Sequence, residues 1–131
     1  MSSRIKRIIQ LDAVAPSGAY SQAVSAGDFL FVSGQGPIDP LSNTLVVGDI
    51  SEQTTLTLQN IGKILAGCGA SISDIVKCSV FIESSDDFAP MDAAYRAFFG
   101  GTFPARTTVQ AGMVESGMKV EIDCIAYLRR D

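Results

Sequence analysis

The sequence predicts an α+β domain with the element order βββαβαββ. Three observations predict it. Short runs alternate apolar and polar residues with period two, the mark of half-buried strands. Two longer runs carry apolar residues at the 3.6-residue spacing of a helix. Several strand runs are apolar on both faces, whereas two helices can cover only one.

The first strand is read at RIKRIIQL (4–11). Pro16 and Gly18 then mark a loop, and Tyr20 enters a second strand. Gly27-Asp28 makes a turn into the third, FLFVSG, which ends at Gly34. GPIDPLSNT (36–44), with two prolines, reads as a loop. Ser51 is a good N-cap for the first helix, with Asp49 and Glu52 beside its positive end. Leu58, Ile61, Ile64 and Leu65 recur at helical spacing, and Gly67 and Gly69 stop the helix. IVKCSVFIES alternates, with Val76, Cys78, Val80 and Ile82 on one face.

Ser85 or Asp86 caps a second helix, with Pro90 tolerated in its first turn. Phe88, Met91, Tyr95 and Phe98 form its apolar stripe, and Gly100-Gly101 end it. ARTTVQA and MKVEIDCIAYL (118–128) are the last two strands. Phe81, Ile125 and Tyr127 fall opposite the regular apolar rows. Leaving that face wet exposes a large apolar patch, so it is expected to meet a symmetry-related copy.

The 131 residues are expected to form a single domain, 1–131. Hydrophobic content of 47% fills a core, and charged content of 18% is below the usual quarter. The net charge is −4 and the ten Lys and Arg are scattered apart from small groups at the ends, which argues against a nucleic-acid partner. No apolar stretch reaches the ~20 residues that span a bilayer. MSSRIKRIIQLDAVAP lacks the apolar core of a secretory signal, and its three basic residues fit a first strand better than a transit peptide. Cys68, Cys78 and Cys124 make an odd count with no CxxC pair, which suits a reducing, cytoplasmic setting. There is no histidine. Ser-His-Asp and Cys-His nucleophile systems are therefore excluded within the chain, as are the usual His-containing zinc sites. Acid–base work near pH 7 falls to carboxylates, tyrosine, lysine, backbone groups or water.

Four features remain as candidate chemistry. Arg106 enters a strand just after Phe103-Pro104. Its planar fork suits a carboxylate, or it pairs with a local acid such as Glu121 if the last two strands are neighbours. Glu121 lies between Val120 and Ile122. It is either a general base at a cleft or a structural partner of Lys119 or Arg106. Ser33-Gly34 ends a strand and either presents a hydroxyl and close backbone to a ligand or simply turns. Tyr20 caps a pocket or is half-buried core. GQGP lacks the spacing and the lysine of a nucleotide loop.

Taken together, AYSQAV (19–24), FVSGQGPIDP (31–40), IGKILAGCGASISDIVKCSVFI (61–82), the segment from Asp87 to Phe99, FPARTTVQ (103–110) and KVEIDCIAYL (119–128) resemble the RidA (YjgF) family of enamine/imine deaminases. The resemblance runs from about residue 4 to residue 128. It implies a chorismate-mutase-like fold of the bacillary type, with two helices on one face of a mixed sheet, assembled as a homotrimer with three intersubunit clefts. It implies hydrolysis of 2-imino or 2-enamino acids, such as 2-aminoacrylate and 2-iminopropanoate, to 2-keto acids and ammonia, which protects pyridoxal-phosphate enzymes. No metal or organic cofactor is implied.

Position by position, Arg106 matches the family's carboxylate-binding arginine and Glu121 the acid that positions water. Tyr20 matches the aromatic that closes the pocket, and Ser33 and Gly34 the pair lining it. Three positions depart. Thr108 stands where the family often has cysteine, Asp92 where it often has asparagine, and Gly18-Ala19 replaces the usual Gly-Pro. A non-catalytic carboxylate binder or chaperone-like protein on the same scaffold is the alternative, and endoribonuclease activity, attributed to some relatives, a third.

Overall fold

The computed structural model describes residues 4–128. The expected domain, 1–131, runs past them; residues 1–3 and 129–131 lie outside the described residues. The strands are β1 (Ile5–Ile8), β2 (Ala23–Ala26), β3 (Phe29–Gln35), β4 (Ile38–Asp39), β5 (Thr44–Leu45), β6 (Ile75–Ile82), β7 (Ala105–Gln110) and β8 (Val120–Tyr127). The helices are α1 (Ile50–Gly67) and α2 (Phe88–Phe99). Six strands form one sheet in the order β1-β2-β3-β8-β6-β7, and β4 and β5 form a separate hairpin. Among the described residues only β6 and β7 pair in parallel, so the sheet is mixed. The α+β reading holds, with two helices packed together on one face.

Helix α1 lies on β3 and β8 and against α2. Its Leu58, Ile61, Ile64 and Leu65 join Met91 and Tyr95 of α2 over Leu30, Val80, Val120, Ile122 and Ala126 in a single core. Burying each large side chain contributes about 1.5–3 kcal/mol. Asp49, not Ser51, caps α1: its Oδ1 accepts from the Glu52 amide at 2.8 Å. The second helix starts at Phe88, after a 3₁₀ turn over Ser85–Asp87 whose Asp86 amide donates to the Ser84 hydroxyl. Ser85 and Asp86 therefore lie inside that turn rather than capping α2. Gly100 and Gly101, at φ of 71° and 108°, end α2 as expected.

Five readings change. β1 is shorter than 4–11, and β2 starts at Ala23, leaving Tyr20 on the loop. The Gln22 side chain holds that loop by donating to Gln10 O and Val14 O while accepting from the Gln10 amide. The 36–44 loop contains the β4–β5 hairpin, with Asn43 in the left-handed region at its turn. The buried Asn60 amide fixes this hairpin by donating to Gly36 O and Ile38 O. Val76 is extruded: the β6–β8 register shifts between Ile75 and Lys77, so Ile75 takes the buried place. β8 begins at Val120 rather than Met118.

The face away from the helices carries Phe81, Ile125 and Tyr127, as expected, and also Phe29, Phe31 and Val109, each about 42–46% exposed. No helix of the described residues is long and apolar enough to cross a membrane.

Candidate active site

The last two strands are not neighbours: β6 lies between them. Register then decides which way each candidate points. Arg106 pairs with Cys78, and Cys78 with Cys124, so all three share the helix-covered face. Glu121 pairs with Phe81, and Phe81 with Val109, so Glu121 belongs to the open face. The alternative reading, an Arg106–Glu121 pair, therefore does not occur within one protomer. A strand of odd offset separates the two rows.

Arg106 is held from two sides. Its Nη1 donates to Asp92 Oδ1 at 2.8 Å. Its guanidinium carbon lies 4.7 Å from the Tyr95 ring centroid and 5.7 Å from that of Phe88. Burial, and then the contact with Cys78, push the Tyr95 phenol up, so the ring is a neutral platform for the cation. A cavity of about 290 Å³ opens here, lined by Asp92, Tyr95, Arg96, Phe103, Pro104 and Arg106. Thr108 lies two residues on along the same face, opposite Val80, but does not line the cavity.

Glu121 has a different setting. β3 breaks register against β8 between Val32 and Gln35, with one extra residue on β3. This bulge sits at Ser33-Gly34. A Cβ built on Gly34 would come within 2.5 Å of Glu121 Oε2. The glycine is thus what lets the carboxylate lie across the strand.

The Glu121 side chain makes no hydrogen bond or ion pair within the described residues, so neither Lys119 nor Arg106 is its partner. Burial first, and then the Asp123 charge, raise its proton affinity above the ordinary carboxylate value. Two adjoining cavities of about 300 and 320 Å³ share Ser17, Tyr20, Gly34 and Glu121. Tyr20 is 45% exposed, and its hydroxyl accepts from the Ser17 amide at 3.0 Å. The Ser33 hydroxyl donates to Ser21 O at 2.6 Å. It is thus committed to holding the Tyr20 loop rather than offered to a ligand.

The profile of the endoribonuclease L-PSP family matches residues 10–128. The chain belongs to that family. Its RidA (YjgF) members are the ones its motifs resemble. A RutC family protein from Pyrococcus horikoshii is 43% identical over 116 residues, 88% of this chain and 92% of that protein. A protein of Rattus norvegicus named 2-iminobutanoate/2-iminopropanoate deaminase is 38% identical over 127 residues, 96% of this chain and 93% of its own length. The solved structure of E. coli TdcF with bound serine superposes with a TM-score of 0.87 at 35% identity, covering 95% of this chain and 99% of that one.

Within this family frame, sequence reasoning missed three side chains around Arg106 and its cavity. Tyr95 and Phe88 read as a core stripe, and Tyr95 is indeed core, yet its ring also carries the guanidinium. Arg96 looks like a surface cation, but it stacks at 5.2 Å on Phe103 and reaches Asp92 Oδ2 at 3.6 Å. The spacing of Asp92 and Arg96, four apart on a helix, was the available signal.

Proposed function

We propose that the chain hydrolyses 2-imino and 2-enamino acids to 2-keto acids and ammonia, in clefts formed between copies of a homotrimer. The Glu121 carboxylate carries this reading. It is partly buried, has no side-chain partner among the described residues, and faces cavities large enough for a small acid. A water held by that carboxylate loses a proton to it and attacks C2 of the imine. The bound proton then passes to the nitrogen of the tetrahedral adduct; as the C–N bond breaks, the adduct's hydroxyl proton moves to that nitrogen, leaving the 2-keto acid and ammonia. Raised proton affinity suits both halves of that cycle. Arg106 grips the substrate carboxylate and so fixes C2 relative to the water. Tyr20 and the Gly34 backbone close the pocket, and Ser33 holds the Tyr20 loop. Removing such reactive species is a protective task for enzymes that use pyridoxal phosphate. The rat relative's name and the serine bound to TdcF support a small amino- or imino-acid ligand.

Arg106 and Glu121 leave opposite faces of the protomer, so one reaction centre takes its arginine from one copy and its acid from another. A mixing experiment tests this. Arg106→Ala and Glu121→Gln proteins are each expected to be inactive. Co-assembled in equal amounts, they regain about a quarter of wild-type 2-keto acid release, because that fraction of clefts combines the intact halves in any cyclic assembly. No recovery in verified mixed oligomers refutes the shared centre. RNA cleavage, suggested by the family's description, is disfavoured by the net charge of −4 and the lack of histidine.

A further inference from the structure

We infer that Asp92 is a specificity-determining residue: it fixes the net charge of the arginine cavity and so selects monocarboxylate over dicarboxylate substrates. The inference rests on the reading of Arg106 as the substrate's carboxylate clamp.

A guanidinium offers five N–H groups on two usable edges. Asp92 Oδ1 occupies Nη1 at 2.8 Å, and no group of the described residues bonds Nε or Nη2. The Tyr95 ring at 4.7 Å and the Phe88 ring at 5.7 Å fix the guanidinium plane, so Arg106 meets a ligand with its Nε–Nη2 edge while Nη1 stays on Asp92. Asp92 is in turn tethered on its other oxygen by Arg96 at 3.6 Å. An incoming carboxylate therefore joins Asp92 at Arg106 rather than displacing it. Within one protomer the cavity holds two guanidinium groups and one carboxylate, a formal charge of +1, and Glu121 of a neighbouring copy adds further negative charge to the assembled centre. Each negative charge of a ligand therefore works against Asp92, and a dianion more than a monoanion. The pair is not a bathed surface contact, since the Arg106 and Asp92 side chains are 20% and 29% exposed. Repulsion between like charges about 6 Å apart in such a half-wet setting is worth roughly 3- to 10-fold in affinity.

The substitution Asp92→Asn removes the charge and keeps a carbonyl oxygen that accepts from Nη1, so Arg106 keeps its pose. Calorimetric titration of the assembled protein with 2-oxobutanoate and with 2-oxoglutarate reads the effect. Wild type is expected to favour 2-oxobutanoate. Asp92→Asn is expected to tighten 2-oxobutanoate by about 3- to 10-fold and 2-oxoglutarate by more, narrowing the preference, with the gain shrinking as salt is raised. In turnover of 2-iminobutanoate, KM falls and kcat holds. Unchanged or weaker binding of both acids in Asp92→Asn overturns the inference. Arg106→Ala serves as the separate control. If it leaves 2-oxobutanoate binding intact, the clamp reading itself fails; if it abolishes binding while Asp92→Asn changes nothing, only the role of Asp92 falls.

Discussion

At the scale of the residue, Glu121 shows a tension between stability and chemistry. Its carboxyl is raised by burial and by Asp123, so ionising it costs more in the folded chain than in the unfolded one. The sign of the pH effect follows from proton binding. Between the unfolded value near 4.3 and the higher folded value, the native state holds more protons than the unfolded state, so stability falls as pH rises through that window. Above it the penalty is fully present, and below pH about 4 it is gone. Glu121→Gln removes the ionisation and fills the same space. It is therefore expected to raise Tm at pH 7, with the gain vanishing as the two proteins are compared at progressively lower pH. The same change is expected to abolish imine hydrolysis. Thermal melts across pH check the first statement, and 2-keto acid release checks the second. A variant that melts lower at pH 7 and keeps its activity would sink the account of Glu121.

At the scale of the element, the helices and most strand faces were legible because periodicity reports directly on burial. Leu58, Ile61, Ile64 and Leu65 fell where expected, and so did Val80 and Ile82. What stayed hidden were interruptions of the period. The bulge that extrudes Val76 and the one at Ser33-Gly34 each insert one residue, and nothing in local composition marks which residue of the run it will be. The hairpin inside the 36–44 segment was hidden for another reason. It is only two residues long on each side, and it is held by a distant side chain on α1 rather than by its own propensity. Asn60 is 2% exposed and supplies both of its amide protons to that task. Asn60→Ala takes a donor from both carbonyls, beside a cavity wall formed by Gly36 and Ile38, although Gly36 O still accepts from the Ile38 amide at 2.9 Å. The expected loss is about 1–3 kcal/mol, read as a fall in the denaturant midpoint. Hydrogen exchange is expected to accelerate in 36–45 more than in the sheet. Uniform acceleration across the chain would show that Asn60 supports the core and not the hairpin.

At the scale of the whole molecule, the candidate residues were legible one by one, but their arrangement was not. Arg106 and Glu121 could be singled out because a planar cation and a mid-strand carboxylate are conspicuous among β-branched neighbours. Their separation depends on β6 entering between β7 and β8, a fact of sheet order that no run of residues encodes locally. Under the proposed function, that separation ties activity to assembly. The open face presents Phe29, Phe31, Val109 and Tyr127 without a covering helix, and the Phe29 and Tyr127 rings stack edge to face at 5.7 Å. If this face meets further copies, a charge placed there costs nothing in the lone protomer and several kcal/mol in the complex. Phe31 is 46% exposed, so Phe31→Glu leaves the protomer's core untouched. The variant is expected to sediment as a monomer with an unchanged circular dichroism spectrum. It is also expected to lose imine hydrolysis by more than about 100-fold, although Arg106, Glu121, Tyr20 and Gly34 are all present. Activity retained in a verified monomer would mean that one protomer suffices, against the register that sends its arginine and its glutamate to opposite sides of the sheet.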